Sequence, residues 1–502
     1  MAAGDGAVIG IPWSSTGPAL LTHRSLWLQQ VLGEESAPPA EPLKGDVRTD
    51  VCILGGGYTG LWTAIELKRR EPGLDVVVLE ADICGGGASG RNGGFLLSWW
   101  AKLGSLVKIC GEGDALWIAR EAEDAVGFIG EFCREHAIDA EYQRGGWLWT
   151  ATSRAQMGSW EGTVAETERL GVNAFERLSP DEVGRRGGSA SYLGGVFEPS
   201  AATVQPARLA RGLARVAGEV GVRVFEGTPA RDVSGAKPLV VTTPGGCVIA
   251  DVVVSALNAW TAGLRPLRKL SRSFVPITSD MVASGAAPDE LAATGWTGGE
   301  CITDSRLLVH YHRTTADGRI AIGRGGGALG PAGRFGTTFH YDRHRCDGVA
   351  ASLHGLYPSF RTVPITHAWS GPIDRSETGI PFFGRAEGMP NLVYGLGFSG
   401  NGVGPCMLAG KILASLALRA DDRWTQSALV RGAYSRFPPE PVRFLGGSLV
   451  REAVKRKESL EDEGRTAGPA VARLAALAPA GLFKVESARH SEEGNHHTTT
   501  RG

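Results

Sequence analysis

The run Gly55-Gly56-Gly57-Tyr58-Thr59-Gly60 limits what this chain can fold into more than any other feature. It fits G-x-G-x-x-G, and its flanks give it meaning. Before it, Asp50-Val51-Cys52-Ile53-Leu54 is a short apolar run fit for a buried parallel strand. After it, residues 58–70 place Leu61, Ala64, Ile65 and Leu67 on one side at helical spacing, and Pro72-Gly73 stops the helix. Asp75 to Leu79 reads as a second buried strand, and Glu80 ends it. In such a βαβ unit Gly55 makes the tight turn, Gly57 lets the backbone approach a pyrophosphate, and Gly60 lets helix and strand pack closely. The helix N-terminus at Tyr58 and Thr59 offers free N–H groups to phosphates. Glu80 can accept bonds from both hydroxyls of an adenosine ribose, and it repels a 2′-phosphate.

Two further glycine segments decide between dinucleotides. Gly85 to Gly94 reads GGGASGRNGG, directly after Glu80. A nicotinamide enzyme does not need a second glycine loop here. FAD is longer and must thread on towards its isoalloxazine ring, so small residues beside it are expected, with Arg91 as a positive charge. The third segment, Gly395-Leu396-Gly397-Phe398-Ser399-Gly400-Asn401-Gly402-Val403, again joins a strand to a helix. Helix N–H groups aimed at the pyrimidine edge of a flavin would stabilise the negative charge of its reduced form.

The rest of the chain predicts a second, smaller-scale pattern. Residues 205–221 and 222–226 read as another helix and strand, and 252–256 as a further buried strand. Residues 101–138 are helical, and 145–149 extended. Residues 274–345 alternate apolar and polar side chains, as in Leu307-Leu308-Val309-His310-Tyr311-His312-Arg313, which predicts an antiparallel sheet. Residues 391–394 and 405–418 are a last strand and an apolar helix. The expected class is α/β: a Rossmann-like FAD-binding domain with a second, α+β substrate domain built on an antiparallel sheet. Its expected division is a lead-in arm over 1–47, an FAD-binding domain from 48–100, 200–262 and 367–430, a substrate domain from 101–199 and 263–366, and a C-terminal extension over 431–502. The end, from about 485, is expected to be disordered.

Composition excludes several classes. The 502 residues hold 72 glycines, about twice the usual ~7%, but without a G-X-Y period, so collagen is excluded. The formal charge of −1 gives no global footprint for nucleic acid. No apolar run approaches the ~18 residues of a membrane span. Residues 1–13 lack a basic region and carry Asp5, which argues against a secretory leader. The eight cysteines form no CxxC pair, so no metal site is expected, and scattered thiols point to a reduced, cytoplasmic protein.

With these segments assembled, the sequence resembles the D-amino-acid-oxidase-like FAD-dependent oxidoreductases, which include glycine oxidase, sarcosine oxidase and gamma-glutamylputrescine oxidoreductase. The resemblance runs from about Ser25 to Leu418, and the amine-oxidising branch shares the loop Gly87-Ala88-Ser89-Gly90-Arg91-Asn92-Gly93-Gly94. Supporting matches are Gly227-Thr228-Pro229-Ala230, Ala256-Leu257-Asn258-Ala259-Trp260 and Gly379-Ile380-Pro381-Phe382-Phe383-Gly384-Arg385. Segments 60–65, 98–102 and 146–152 are more specifically similar to the aminophosphonate oxidoreductases of that branch.

The resemblance implies that Ala88, Ser89, Arg91, Asn92, Gly93 and Gly94 lie along the pyrophosphate and flavin. Ala230 contacts the adenine side through its backbone, Gly400, Asn401, Gly402 and Val403 sit at the pyrimidine edge of the flavin, and Ala256, Asn258 and Gly397 are further cofactor-binding candidates. Where sarcosine oxidases attach FAD through a cysteine, residues 367–371 read His-Ala-Trp-Ser-Gly, so FAD is expected without a covalent bond. Cys84 and Cys406 are the thiols nearest these segments.

The implied reaction is oxidation of a primary or secondary amine (an amino acid, a polyamine derivative or an aminophosphonate). A hydride passes to flavin N5, the imine then hydrolyses, and oxygen or another acceptor takes the electrons. Such chemistry asks little of side chains, because the cofactor carries it. Lys102, Tyr311 and His312 are the catalytic candidates, with His310 and Trp369 as substrate contacts. Strand alternation means that Tyr311 cannot share a face with both histidines. An FAD dehydrogenase of a hydroxy acid and a non-catalytic nucleotide-binding protein stay open as alternatives.

Overall fold

The computed structural model describes residues 24–35, 38–330, 335, 337–432 and 436–479. The expected disordered tail lies outside the described residues. Two sheets organise the described chain. In the first, the strand Val47–Leu54 sits between Gly246–Ser255 and Val76–Leu79, parallel to both. Arg223–Phe225 continues the sheet beyond Val76–Leu79, and Met389–Leu396 beyond Gly246–Ser255, again in parallel. Phe382–Ala386 closes that edge antiparallel. The inner strands are apolar on both faces because both are covered: Val76–Leu79 is buried throughout. The covering helices Tyr58–Arg70, Pro206–Glu219 and Pro405–Leu418 pack beside one another around Leu61, Leu209 and Leu413.

The order of strands reverses at Val47–Leu54: Val76–Leu79 and Arg223–Phe225 extend the sheet on one side of it, Gly246–Ser255 and Met389–Leu396 on the other. The crevice beyond the carboxyl end of such a strand is where open α/β sheets hold ligands.

The second sheet runs in the order Ile365–Arg375, Val275–Ser284, Ile320–Arg324, His310–Thr314, Cys301–Asp304, Trp147–Ala151, Gly194–Glu198, Glu176–Leu178. It is antiparallel except where Cys301–Asp304 meets Trp147–Ala151. The helix Arg343–Leu356 covers one of its faces with Val349, Ala350 and Leu353, against Val282, Ile320 and Ile322.

The structure revises three expectations about organisation. The strand Ile365–Arg375 belongs to the antiparallel sheet, so the expected boundary at 367 falls inside a strand. The helix Leu103–Glu135 packs with the parallel sheet's helices, where its Ile118, Ala122 and Val126 join the main apolar cluster. The expected lead-in arm contains a packed helix, Leu26–Glu34, with Leu26, Trp27 and Leu28 buried and Ser25 capping its start.

Candidate functional site

Local sequence builds the first turn. Gly55 has φ +106°, a conformation that side chains rarely adopt. A Cβ at Gly60 would fall 2.0 Å from the carbonyl oxygen of Gly55, so helix and strand approach to the limit that glycine allows. Gly57 caps the helix without a side chain, and Tyr58 and Thr59 of its first turn line a cavity of about 600 Å³. Glu80 stands at one end. Its two oxygens accept the N–H groups of Gly56 at 2.7 Å and Asp82 at 2.9 Å, which leaves each oxygen further acceptor capacity. Burial raises the Glu80 carboxyl above its ordinary value, against those two bonds. Hydroxyl donors such as those of a ribose would favour the carboxylate.

The second glycine loop is held by its own side chains and by distant ones. Ser89 Oγ accepts the Tyr58 N–H at 2.9 Å, joining the loop to the helix Tyr58–Arg70. Asn92 donates to the carbonyls of Ala88 and Ser89 and accepts the Gly94 N–H at 2.7 Å. Arg91 lines the cavity, yet its guanidinium donates to Gly86 O at 3.0 Å and Ser370 O at 3.3 Å. It therefore fixes the loop as well as carrying charge, and burial lowers it to about 10. Three successive loop carbonyls are taken from outside. Ser25 Oγ donates to Gly90 O, Trp369 Nε1 to Arg91 O at 2.8 Å, and Trp27 Nε1 to Asn92 O at 2.9 Å.

The third glycine segment forms a tight turn over the same cavity. Gly400, Asn401, Gly402 and Val403 line it, whereas Gly397 stands behind them with φ +92° and donates its N–H to Asp374. Ser399 adopts φ +58°, held through its Oγ by Ser376 N–H at 3.0 Å. Asp374 is fully buried, and burial pushes its carboxyl up to about 7 against the backbone N–H groups of residues 397–399. Ala88, Ser89, Gly93, Ala230, Ala256 and Asn258 also line the cavity. Gly94 does not. It lies against Val204, where a Cβ would meet the carbonyl oxygen at 2.1 Å.

The candidates for substrate chemistry separate. Tyr311 lines the cavity, crosses Gly323 in register, and shares a hydrogen bond of 2.7 Å with Ser279 Oγ. His312 and His310 point to the opposite face, as strand alternation requires. His312 Nε2 meets Tyr192 OH at 2.7 Å, and burial lowers its pKa to about 3. His310 Nδ1 meets Asp304 at 2.8 Å and its Nε2 meets Ser352 at 3.1 Å, among the residues under the covering helix. Neither lines the cavity. Lys102 is buried outside it: Nζ donates to Gly379 O at 2.6 Å, and burial, then the charge of Arg375, lowers its pKa to about 7. Trp369 stands behind the second loop, edge-on to Trp27, instead of forming a substrate wall. Cys84 is buried behind the first glycine turn, its Sγ 2.6 Å from where a Cβ on Gly56 would stand, and it does not line the cavity. Cys406 lines the cavity and accepts the Thr59 hydroxyl at 3.1 Å, and burial raises its thiol to about 12.

Residues that no sequence motif singles out complete the inner end: Ser279, Thr303, Val309, His340 and Arg375, with Leu97 and Phe95 as apolar wall. They come from five separated segments, so no local pattern marks them. Asp374 is likewise hidden in the sequence, because its partners lie in another part of the chain.

The residues present fit FAD. A glycine cradle that side chains would fill joins an acidic strand end, a helix start without a side-chain cap, and a turn of backbone amides. One cavity connects them. Among the described residues, no cluster of His, Cys, Asp or Glu could hold a metal ion, and no helix is long and apolar enough to cross a membrane.

Comparison with known proteins agrees. The gamma-glutamylputrescine oxidoreductase of Escherichia coli (strain K12) is 32% identical over 415 residues, 82% of this chain and 92% of that protein. A probable oxidoreductase, OrdL, of Rhizobium meliloti (strain 1021) is 32% identical over 402 residues, 78% of this chain and 88% of that one. The crystal structure of glycine oxidase from Geobacillus kaustophilus has a TM-score of 0.65 at 22% identity, covering 78% of this chain and 100% of that one, a likeness of fold. The family model described as "FAD dependent oxidoreductase" matches residues 50–416. A cradle, a fold and a sequence relationship that agree over most of the chain have one reading: it belongs to the DAO family of FAD-dependent oxidoreductases.

Proposed function

We propose that this oxidoreductase acts on a small primary or secondary amine. The reading is carried by one observation: a single cavity is lined both by the dinucleotide cradle and by the antiparallel sheet around Tyr311. The relatives support amines in particular, since one is a gamma-glutamylputrescine oxidoreductase and another, 26% identical over 395 residues, a glycine oxidase. In this division the parallel-sheet segments hold FAD and the antiparallel-sheet segments meet substrate.

Bound FAD would supply a two-electron acceptor. Gly57, Tyr58 and Ser89 would hold its pyrophosphate, Glu80 its ribose, and residues 400–403 its ring edge. The chain's remaining task is to orient the amine and exclude water. Leu97, Val309 and Phe95 make part of the inner wall apolar, which disfavours an ammonium and favours the neutral amine that can be oxidised. Ser279 Oγ donates to Arg324 O at 3.2 Å and shares a bond with Tyr311 OH, so the two hydroxyls offer acceptor lone pairs to an amine N–H. A non-covalent cofactor is supported by the absence of cysteine from 367–371 and by the raised thiol of Cys406. The eight free cysteines support a reducing, cytoplasmic setting.

The test is spectroscopic. Purified protein is expected to be yellow, and one amine among glycine, gamma-glutamylputrescine and 2-aminoethylphosphonate to bleach the flavin band without oxygen. Readmitted air then distinguishes oxygen from another acceptor. Bleaching by a hydroxy acid such as lactate, and by no amine, would overturn the amine reading.

A further inference from the structure

The helices Val442–Asp462 and Pro469–Ala475 lie beyond the family-matched region, yet they pack against the back of the substrate-end wall. That wall is two loops. Residues 305–309 contribute Leu307 and Val309 to the cavity, and residues 325–326 follow the strand Ile320–Arg324 and line it too. Gly325 N–H donates to Val309 O at 3.0 Å, making the loops one surface. Leu308, between the two lining residues, is buried in a cluster with Ala453, Val454 and Ala475, against which Leu307 also packs.

Polar pins hold the wall from behind. Arg451 Nε donates to Gly326 O at 2.7 Å. Glu458 Oε1 accepts the Leu308 N–H at 3.1 Å, and its other oxygen lies 3.9 Å from Arg324 Nη2. Arg306, at the start of the wall, pairs with Asp304 and reaches Asp462. The helix is itself anchored at its start, where Arg443 donates to the carbonyls of Ser271 and Phe274. At the far end Pro479 O accepts from cavity-lining Arg375 at 3.3 Å. Glu458 is only 5% exposed, so its bond to Leu308 is shielded from competing water.

Loops without such support open readily, because their backbone bonds are few and exposed. We propose that the C-terminal helix pair sets the shape of the substrate end, with Arg451 and Glu458 as positioning residues for amine selectivity. The selectivity half of this rests on the amine reading above. The geometry of the wall does not.

The experiment uses the full chain with FAD bound. In Arg451→Ala, Glu458→Ala and their combination, amide exchange at Leu308 and residues 325–327 should rise about tenfold per lost bond. The KM for gamma-glutamylputrescine and for 2-aminoethylphosphonate should shift severalfold and unequally, with kcat and FAD content unchanged. Glu458→Gln keeps an acceptor for the Leu308 N–H and should restore both readouts. Leu449→Gln, on the outward face at 62% exposure, should change neither.

Unchanged exchange overturns the proposal. So does faster exchange with no change in the ratio of the two KM values. If the alanine variants do not fold, Arg451→Lys decides the same readouts. Wild-type enzyme that no amine bleaches defeats the amine reading instead, and exchange at Leu308 then decides the wall by itself.

Discussion

The two ends of the cavity are made of different material. At the Glu80 end the surface is backbone: glycines at 55, 57, 86 and 87, a helix start without a side-chain cap, and a loop that bonds to itself through Asn92. At the Tyr311 end it is mostly side chains, carried by strands and by the loops between them that are neighbours in space and distant in sequence. A backbone surface can be specified by where glycine must stand. A side-chain surface is free to change residue by residue without disturbing the fold, and so it is the end where relatives can differ in substrate.

The sharpest way to break that comparison is at the backbone end. Gly57→Val places a side chain where Ser89 Oγ is already 2.9 Å from a Cβ, on the surface proposed to hold the pyrophosphate. It is expected to abolish FAD binding while circular dichroism stays native, and a variant that purifies yellow would show that the cradle is misplaced.

Asp374 joins the two ends, since it stands on the antiparallel sheet and holds the 397–399 turn. Its proton is bound more tightly in the folded chain than in the unfolded one. Stability is therefore gained as pH falls from about 7 towards the unfolded carboxyl value of about 4, and lost as pH rises again. Asp374→Asn should flatten that dependence by on the order of 2–4 kcal/mol, read as denaturation midpoints at several pH values. Equal slopes in the two proteins would remove Asp374 from this role.

A smaller effect sharpens the comparison from the other end. Tyr311→Phe removes the hydroxyl that meets Ser279, and is expected to lower kcat/KM by about tenfold while leaving FAD content unchanged. If FAD is lost instead, Tyr311 belongs to the cradle. Smallest of all, Trp369→Phe gives up one bond to Arg91 O and should cost about 1 kcal/mol of stability, with amine KM unchanged. A large KM change would return Trp369 to the substrate wall.

The same contrast decides how much of the fold and the site is legible in the sequence. The helix after the first glycine turn, Tyr58–Arg70, is legible because its signals are contiguous: a glycine start, an apolar stripe and a Pro-Gly stop. The strands around it are legible for the same reason. For 310–312, alternation predicts opposite faces for Tyr311 and its neighbours, but local pattern says nothing about which face meets a cavity. That depends on the helix Arg343–Leu356 covering the other side. Lys102 reads as available because it follows the flavin loop, but its partner Gly379 is 277 residues away. The helix Leu26–Glu34 is hidden in the arm, because its partners also lie far along the chain.

That helix bears on how the chain comes to fold as it is made. Trp27 and Ser25 emerge early, but the carbonyls they bind are at 90 and 92, and Gln205, which bonds Trp27 O, comes far later. Gln29 meets His367, 338 residues on, and Trp27 meets the edge of Trp369. At roughly 10 residues per second, about half a minute of synthesis separates the first turn of this helix from its last partner. For that interval its tryptophan has no completed site. The nascent chain is expected to show Trp27 accessible to quencher until Trp369 has left the ribosome, and the second glycine loop to settle only then.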